Sequence, residues 1–161
     1  MLTLAVSACL LGVSCRYDGK SKRKEEIFAL RKSCRILAFC PECGCGFPVP
    51  RPRIHLIVRQ GAIRLQKEHD REDLTLVMEL FAAREIRRLL QGGATGFIVK
   101  SRSPSCGLVD TPVENGTPGA GLFVRKLLTI VPDIPVMDEK DWENPERREE
   151  FLRQAKQWKN R

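Results

Sequence analysis

The chain has 161 residues, with 28 Lys+Arg against 20 Asp+Glu and a net charge of +8. At 42% hydrophobic and 30% charged residues it reads as a single soluble domain, 1–161, able to bury a core without disulfide staples; an intrinsically disordered chain is excluded. No stretch approaches the ~20 apolar residues that span a bilayer, and the positive excess favours anionic partners: nucleotides, phosphates or nucleic acid.

Residues 2–8, LTLAVSA, form a continuous apolar run that predicts a buried strand. A loop follows, broken by Gly12 and Gly19. KEEIFALRKS at 24–33 carries apolar residues at Ile27, Phe28 and Leu30, with Cys34 four further on, the spacing of a helix. RILAFCPE at 35–42 predicts a second buried strand that stops at Pro41. Prolines at 48, 50 and 52 exclude regular structure over 43–53. IHLIV and AIRLQ, on either side of RQG, predict a β-hairpin. The strongest helix signal spans 70–93: acids lead it, arginines close it and Gly92 ends it. ATGFIVKS at 94–101 is a third buried strand, and 111–121 reads as a flexible loop. Residues 120–131 predict a helix stopped by Pro132, 134–139 a last strand, and Asn144-Pro145 the cap of a charged helix running to Arg161.

Strands alternating with helices predict a single-domain, Rossmann-like α/β fold with a mostly parallel sheet and a small hairpin insertion. In such sheets the loops that leave the carboxyl ends of the strands build the site. Cys9 follows the first strand, Cys40 ends the second and Cys106 follows the third, so one edge of one sheet can gather all three thiols.

Seven cysteines is a high count for this length: Cys9, Cys15, Cys34, Cys40, Cys43, Cys45 and Cys106. MLTLAVSACLLG lacks the basic leading region of a secretory signal. The expected setting is therefore a cytoplasm that keeps thiols reduced, where clustered cysteines mean metal, iron–sulfur or redox chemistry. Cys34, at a helical spacing, is expected to be a small buried hydrophobe. CPEC, residues 40–43, is formally a C-x-x-C, so a redox pair and a zinc site built on Cys40, Cys43 and Cys45 are open readings. A structural zinc usually takes two close pairs, however, and no second C-x-x-C exists; His55 and His69 lie at no ligand spacing. The sharper reading is a 4Fe–4S cluster held by Cys9, Cys40 and Cys106. Three protein thiolates on a four-iron cube leave one iron open, as a catalytic zinc keeps one position free.

SACLLG with RYDG, CPE followed by PVPRP, and SPSCG resemble the thiouracil desulfidase family. GAGLFVRKLL and IPVMDE extend the likeness over roughly residues 3–140. The resemblance implies a 4Fe–4S cluster on Cys9, Cys40 and Cys106. It also implies non-redox removal of sulfur from thiolated uracil compounds, including thiouridine monophosphate, to give the carbonyl product and hydrosulfide. The family's catalytic glutamate falls on Glu42 and its catalytic serine on Ser103, with Ser101 the other candidate. Cys15 and the CGCG of residues 43–46 depart from the family pattern. They are either extra thiols near a cluster or the source of a fourth ligand that would close the open iron.

Around this edge the chain also places Arg16, Lys20, Lys22, Arg23, Arg51, Arg53, Lys100 and Arg102, expected to hold a substrate phosphate. Asp18 and Asp110 would orient these cations or bind base or ribose; Arg16, Asp18, Arg51 and Lys100 are the substrate-binding candidates. GAG at 119–121 could open a helix toward a phosphate. The competing functions are a basic nucleic-acid-binding module and a sulfur carrier using CPEC. The single tyrosine, Tyr17, gives no stacking pair for RNA recognition.

Overall fold

The computed structural model describes residues 1–159. Its main sheet has four strands in the order β2-β1-β5-β7, formed by β1 (Leu2–Ser7), β2 (Cys34–Phe39), β5 (Phe97–Val99) and β7 (Val136–Asp138). All three pairings are parallel. The mixed α/β, Rossmann-like architecture expected from the alternating pattern is therefore present.

Side chains alternate across the sheet, as strand geometry demands. Leu2, Leu4 and Val6 of β1, with Ile98 of β5, face a layer that includes Ile27, Trp142, Phe151 and Ala155. Ala5, Phe97 and Val99 face the opposite layer, with Ala82, Ile86 and Leu89 of α3 (Thr75–Gln91) and Phe123, Val124 and Leu127 of α4 (Leu122–Ile130). Both faces are covered, which is why the central strands read as unbroken apolar runs.

A second sheet has the order β4-β3-β6, from β3 (Ile54–Arg59), β4 (Ala62–Lys67) and β6 (Val113–Glu114). The expected hairpin is its antiparallel pair. Leu56, Leu65 and Val113 bury against Leu74, Met78 and Leu122, which fixes this sheet to the N-terminal ends of α3 and α4.

Several local expectations are corrected. The helix read over 24–33 is one α turn, α1 (Glu25–Phe28), and a 3-10 turn over Ala29–Lys32. Cys34 is not on a helix face: it opens β2 opposite Leu2, because pairing along the whole of β1 recruits it. It is buried all the same. The strand expected to stop at Pro41 ends at Phe39; Pro41 then opens a helical turn, α2 (Pro41–Gly44), at the first helical position, where no N–H is needed. That turn also brings Cys43 and Gly44 into regular structure. Finally, the segment read as a flexible loop holds β6, paired parallel to β3, and a Thr111–Gly119 bridge.

The rest of the chain follows the reading closely. α5 (Glu139–Trp142) follows β7, and α6 (Pro145–Lys159) is capped by the Asn144 carboxamide, which accepts from the backbone N–H groups of Glu146 and Arg147. Asn160 and Arg161, the expected end of that helix, lie outside the described residues. Among the described residues no helix is long and apolar enough to cross a membrane.

Candidate active site

The strand order sets the carboxyl ends of β2, β1 and β5 side by side, and each is followed by a cysteine. Cys9 lies in the 3-10 turn Ala8–Leu11. Cys40 stands at the N-terminal cap of α2, and Cys106 lies in the loop after β5. All three line one cavity of about 490 Å³, and none is in a disulfide.

Their protonation reflects that convergence. Burial, reinforced by the nearby Cys106 thiol, pushes Cys9 up to about 12. Burial likewise pushes Cys106 up to about 12, with Cys40 and Glu42 adding to it. Hydrogen bonding to the Cys15 thiol and then burial raise Cys40 further. At neutral pH these groups are thiols, and a bound cation would take the place of their protons.

The loop carrying Cys106 is tightly built. Ser103 Oγ accepts from the backbone N–H of Cys106 at 3.0 Å and of Ser105 at 3.3 Å. The Pro104 and Ser105 carbonyls accept the first N–H groups of α4, from Leu122 at 2.9 Å and Phe123 at 3.0 Å. Gly121 makes this possible, since a Cβ there would sit 2.4 Å from the Ser105 carbonyl oxygen. The N-terminus of α4 is thereby spent on the cysteine loop, and the expected phosphate site at residues 119–121 is not formed.

Glu42 reaches the cavity from the first turn of α2. Its Oε1 accepts from Arg51 Nε at 3.2 Å and its Oε2 from Ser105 Oγ at 3.1 Å. Ser105 Oγ lies 3.1 Å from Ser103 Oγ. With the Ser105 proton on Glu42, the Ser103 hydroxyl donates to Ser105, and a chain of two hydroxyls ends on the carboxylate. Ser101 is turned to a different partner: its hydroxyl and its backbone N–H both donate to Glu139 at 2.7 Å.

The charged candidates divide. Arg16 lines the cavity, and its Nη1 is buried without a hydrogen-bond partner. Arg51 also lines it, but its guanidinium is spent: beyond Glu42 it donates to the carbonyls of Cys15 at 2.9 Å and Pro48 at 3.2 Å. Lys100 lines the cavity with its ammonium held by Glu139 at 2.8 Å and by Ser101. Asp18 does not reach the cavity; it is exposed and its carboxylate accepts from the backbone N–H of Lys20. Asp110 is bound to Lys140 and to the Arg102 backbone N–H. Lys20, Lys22 and Arg23 lie off the cavity, whereas Arg53 and Arg102 are part of its wall.

Ser105 lines the cavity and carried no sequence signal beyond its place next to Cys106. Glu139, the first residue of α5, stands behind the wall and holds Lys100 and Ser101, which line it.

Among the additional thiols, Cys15 is buried in the cavity wall beside Cys40. The Cys43 thiol donates to the Cys15 carbonyl at 3.5 Å. Cys45 points away and donates to the Val77 carbonyl on α3. Among the described residues no three or more His, Cys, Asp or Glu side chains are gathered to hold a metal ion. Cys9, Cys40 and Cys106 are nevertheless all lining residues of the one cavity.

The chain is similar to known proteins over most of its length. A solved structure of a 4Fe–4S-dependent thiouracil desulfidase, TudS (DUF523Vcz), matches with a TM-score of 0.76 and 32% identity, covering 94% of this chain and 99% of that one. An uncharacterized protein of Bacillus subtilis (strain 168), YbbK, is 32% identical over 110 residues, 65% of this chain and 72% of the relative. The 2-thiouracil desulfurase family model matches residues 4–139, and the chain belongs to that family.

Proposed function

We propose that the protein is a 4Fe–4S-dependent desulfidase that removes sulfur from thiolated uracil compounds, thiouracil or thiouridine monophosphate, by a hydrolytic, non-redox reaction. The observation that carries this reading is the meeting of Cys9, Cys40, Cys106 and Glu42 in one cavity, in a chain that matches a desulfidase of known structure.

The donor set suits the cluster: three free thiols, no competing disulfide, and a buried guanidinium N–H of Arg16 with no protein partner. Cys9, Cys40 and Cys106 are the ligands in this reading. Cys15 and Cys43 lie beside Cys40, and Cys45 is outside the cavity. With Cys9, Cys40 and Cys106 as its protein ligands, a bound cluster would supply a Lewis acid for a thiocarbonyl sulfur and for the departing hydrosulfide.

The chain's own groups supply the rest. Glu42 is the general base for the attacking water. Arg51 holds one carboxylate oxygen and Ser105 the other, so the base cannot swing out of the wall. Ser103 positions the water, and its hydroxyl passes the proton through Ser105 to Glu42. Arg16, with Arg53 and Arg102 at the wall, receives the polar end of the substrate. Lys100 supports Ser101 and Glu139 in this structure, rather than meeting substrate. The thiols suit a reducing cytoplasm.

The test is anaerobic reconstitution with iron and sulfide, followed by assay of hydrosulfide release from thiouracil and from thiouridine monophosphate. About four irons and four sulfides per chain with hydrosulfide release are expected. Reconstituted protein that holds the cluster but leaves both compounds intact would overturn the activity. Protein that takes up zinc and no cluster would overturn the cofactor.

A further inference from the structure

The C-x-x-C of residues 40–43 is not used as a pair in the chemistry above, yet its geometry is specific. Cys40 caps α2 and Cys43 lies one helical turn on. That spacing sets the two Cα atoms in the separation range of a disulfide. Both thiols donate to the same acceptor, the Cys15 carbonyl, at 3.9 Å from Cys40 and 3.5 Å from Cys43. The two thiols are close enough to shift each other's titration. Arg51 Nη1 stands 3.9 Å from Cys43 Sγ, and its Nη2 anchors the acceptor loop by donating to the Cys15 carbonyl.

Accessibility separates this pair from the other thiols. Cys40 and Cys43 are half-buried, whereas Cys9, Cys15, Cys34 and Cys106 are buried. Cys45, also half-buried, is turned to α3. A reagent in solvent therefore meets Cys43 and Cys40 first, and meets them together.

We infer that Cys40 and Cys43 form a thiol–disulfide exchange site that reacts with low-molecular-weight disulfides, and that its closure withdraws Cys40 from the cluster. The second half rests on the assignment of Cys40 as a ligand made above. The step balances in two exchanges. Cys43 attacks one sulfur of the disulfide, forming a mixed disulfide and releasing one small thiol. Cys40 then attacks the Cys43 sulfur, closing the Cys40–Cys43 bond and releasing the second. Two protein thiols lose two electrons, the small disulfide gains them, and the two protons end on the released thiols. Once the pair is closed, the Cys40 sulfur has no thiolate to offer iron, so cluster and disulfide exclude each other.

The experiment uses the full chain without cluster, treated anaerobically with oxidised glutathione, then digested and mapped by mass spectrometry. Half of the treated protein is carried into iron and sulfide reconstitution. A Cys40–Cys43 linked peptide is expected, with cluster uptake falling to background and returning after reduction. Cys43→Ser treated in the same way should form no internal link at Cys40, and any loss of its cluster uptake should track glutathione bound to Cys40. The proposal is overturned if the treated protein carries no Cys40–Cys43 link, or links Cys40 chiefly to Cys15, while untreated protein still loads cluster; the cluster assignment survives that result. If the link forms and cluster loads undiminished, Cys40 is not a ligand, and the mutual exclusion falls while the exchange site stands.

Discussion

Ser105 Oγ donates to Glu42 Oε2 at 3.1 Å and thereby joins two segments 63 residues apart in the chain. The serine next to Cys106 is thus bound to the carboxylate two residues after Cys40. Glu42 is held on one side by this contact and on the other by Arg51. Ser105→Ala is expected to lower kcat for hydrosulfide release by about 10²-fold, the scale of a disturbed acid–base relay. Iron content should stay unchanged, because the three cysteines remain. Equal losses of iron and of rate in the variant would reduce Ser105 to a support of the loop.

Gly121 is the second point at which the site depends on a close approach. A methyl group there meets backbone oxygen on two sides, from Ser105 at 2.4 Å and Ser103 at 2.7 Å. Backbone cannot move aside as a flexible side chain would, so Gly121→Ala should cost about 1–3 kcal/mol, the cost of overpacking a filled interior. Urea unfolding measures that loss. The same variant should load less iron, since the Cys106 loop must shift.

The buried Lys100–Glu139 pair predicts how stability depends on pH. Burial alone would raise the Glu139 carboxyl, but hydrogen bonds from Lys100 and Ser101 outweigh it and hold the carboxyl below its usual 4.5. A depressed carboxyl stabilises the fold above its unfolded value, and that contribution disappears as pH falls through the lower folded value. Stability should therefore fall with acidification below about pH 4.5. Glu139→Gln should remove that part of the slope and cost about 1–3 kcal/mol at neutral pH, because it leaves a half-buried ammonium without its carboxylate. An unfolding series from pH 3 to pH 7 on both proteins checks this. An unchanged slope in Glu139→Gln would assign the acid transition to other groups.

Cysteine replacements should sort by place in the fold. Cys9→Ser, Cys40→Ser and Cys106→Ser are each expected to lose the reconstituted cluster absorbance and all hydrosulfide release. Cys45→Ser should keep both, since its thiol lies outside the cavity and donates to the Val77 carbonyl on α3. Loss of the cluster in Cys45→Ser, with Cys106→Ser retaining it, would relocate the site to CPEC and its neighbours.

The central strands were legible because burial on both faces writes itself as an unbroken apolar run, as in Leu2–Ser7 and Phe97–Val99. The hairpin was legible through two apolar runs flanking Arg59-Gln60-Gly61, and α3 through its leading acids, closing arginines and Gly92. Cys34 was misplaced because a helical interval of four from Leu30 is satisfied equally by the end of a 3-10 turn and the start of a strand. β6 was hidden for a related reason. Two residues of ladder beside β3 carry no periodicity of their own, and the partner that stabilises them lies more than 50 residues earlier.

By itself the sequence determined the main strands and the long helices, the parallel sheet, and the placement of Cys9, Cys40 and Cys106 after three strands. These follow from local periodicity and from the rule for strand ends, which need no distances. Only the tertiary structure decided which charges remain free. Arg51 and Lys100 look like any surface cation in a list of residues, yet folding spends one on Glu42 and two carbonyls and the other on Glu139 and Ser101. Arg16 alone of the four charged candidates, Arg16, Asp18, Arg51 and Lys100, brings to the cavity a buried donor atom with no protein partner. Hydrogen-bond partners are chosen by proximity across the chain, and that proximity exists only once β1, β2 and β5 lie side by side.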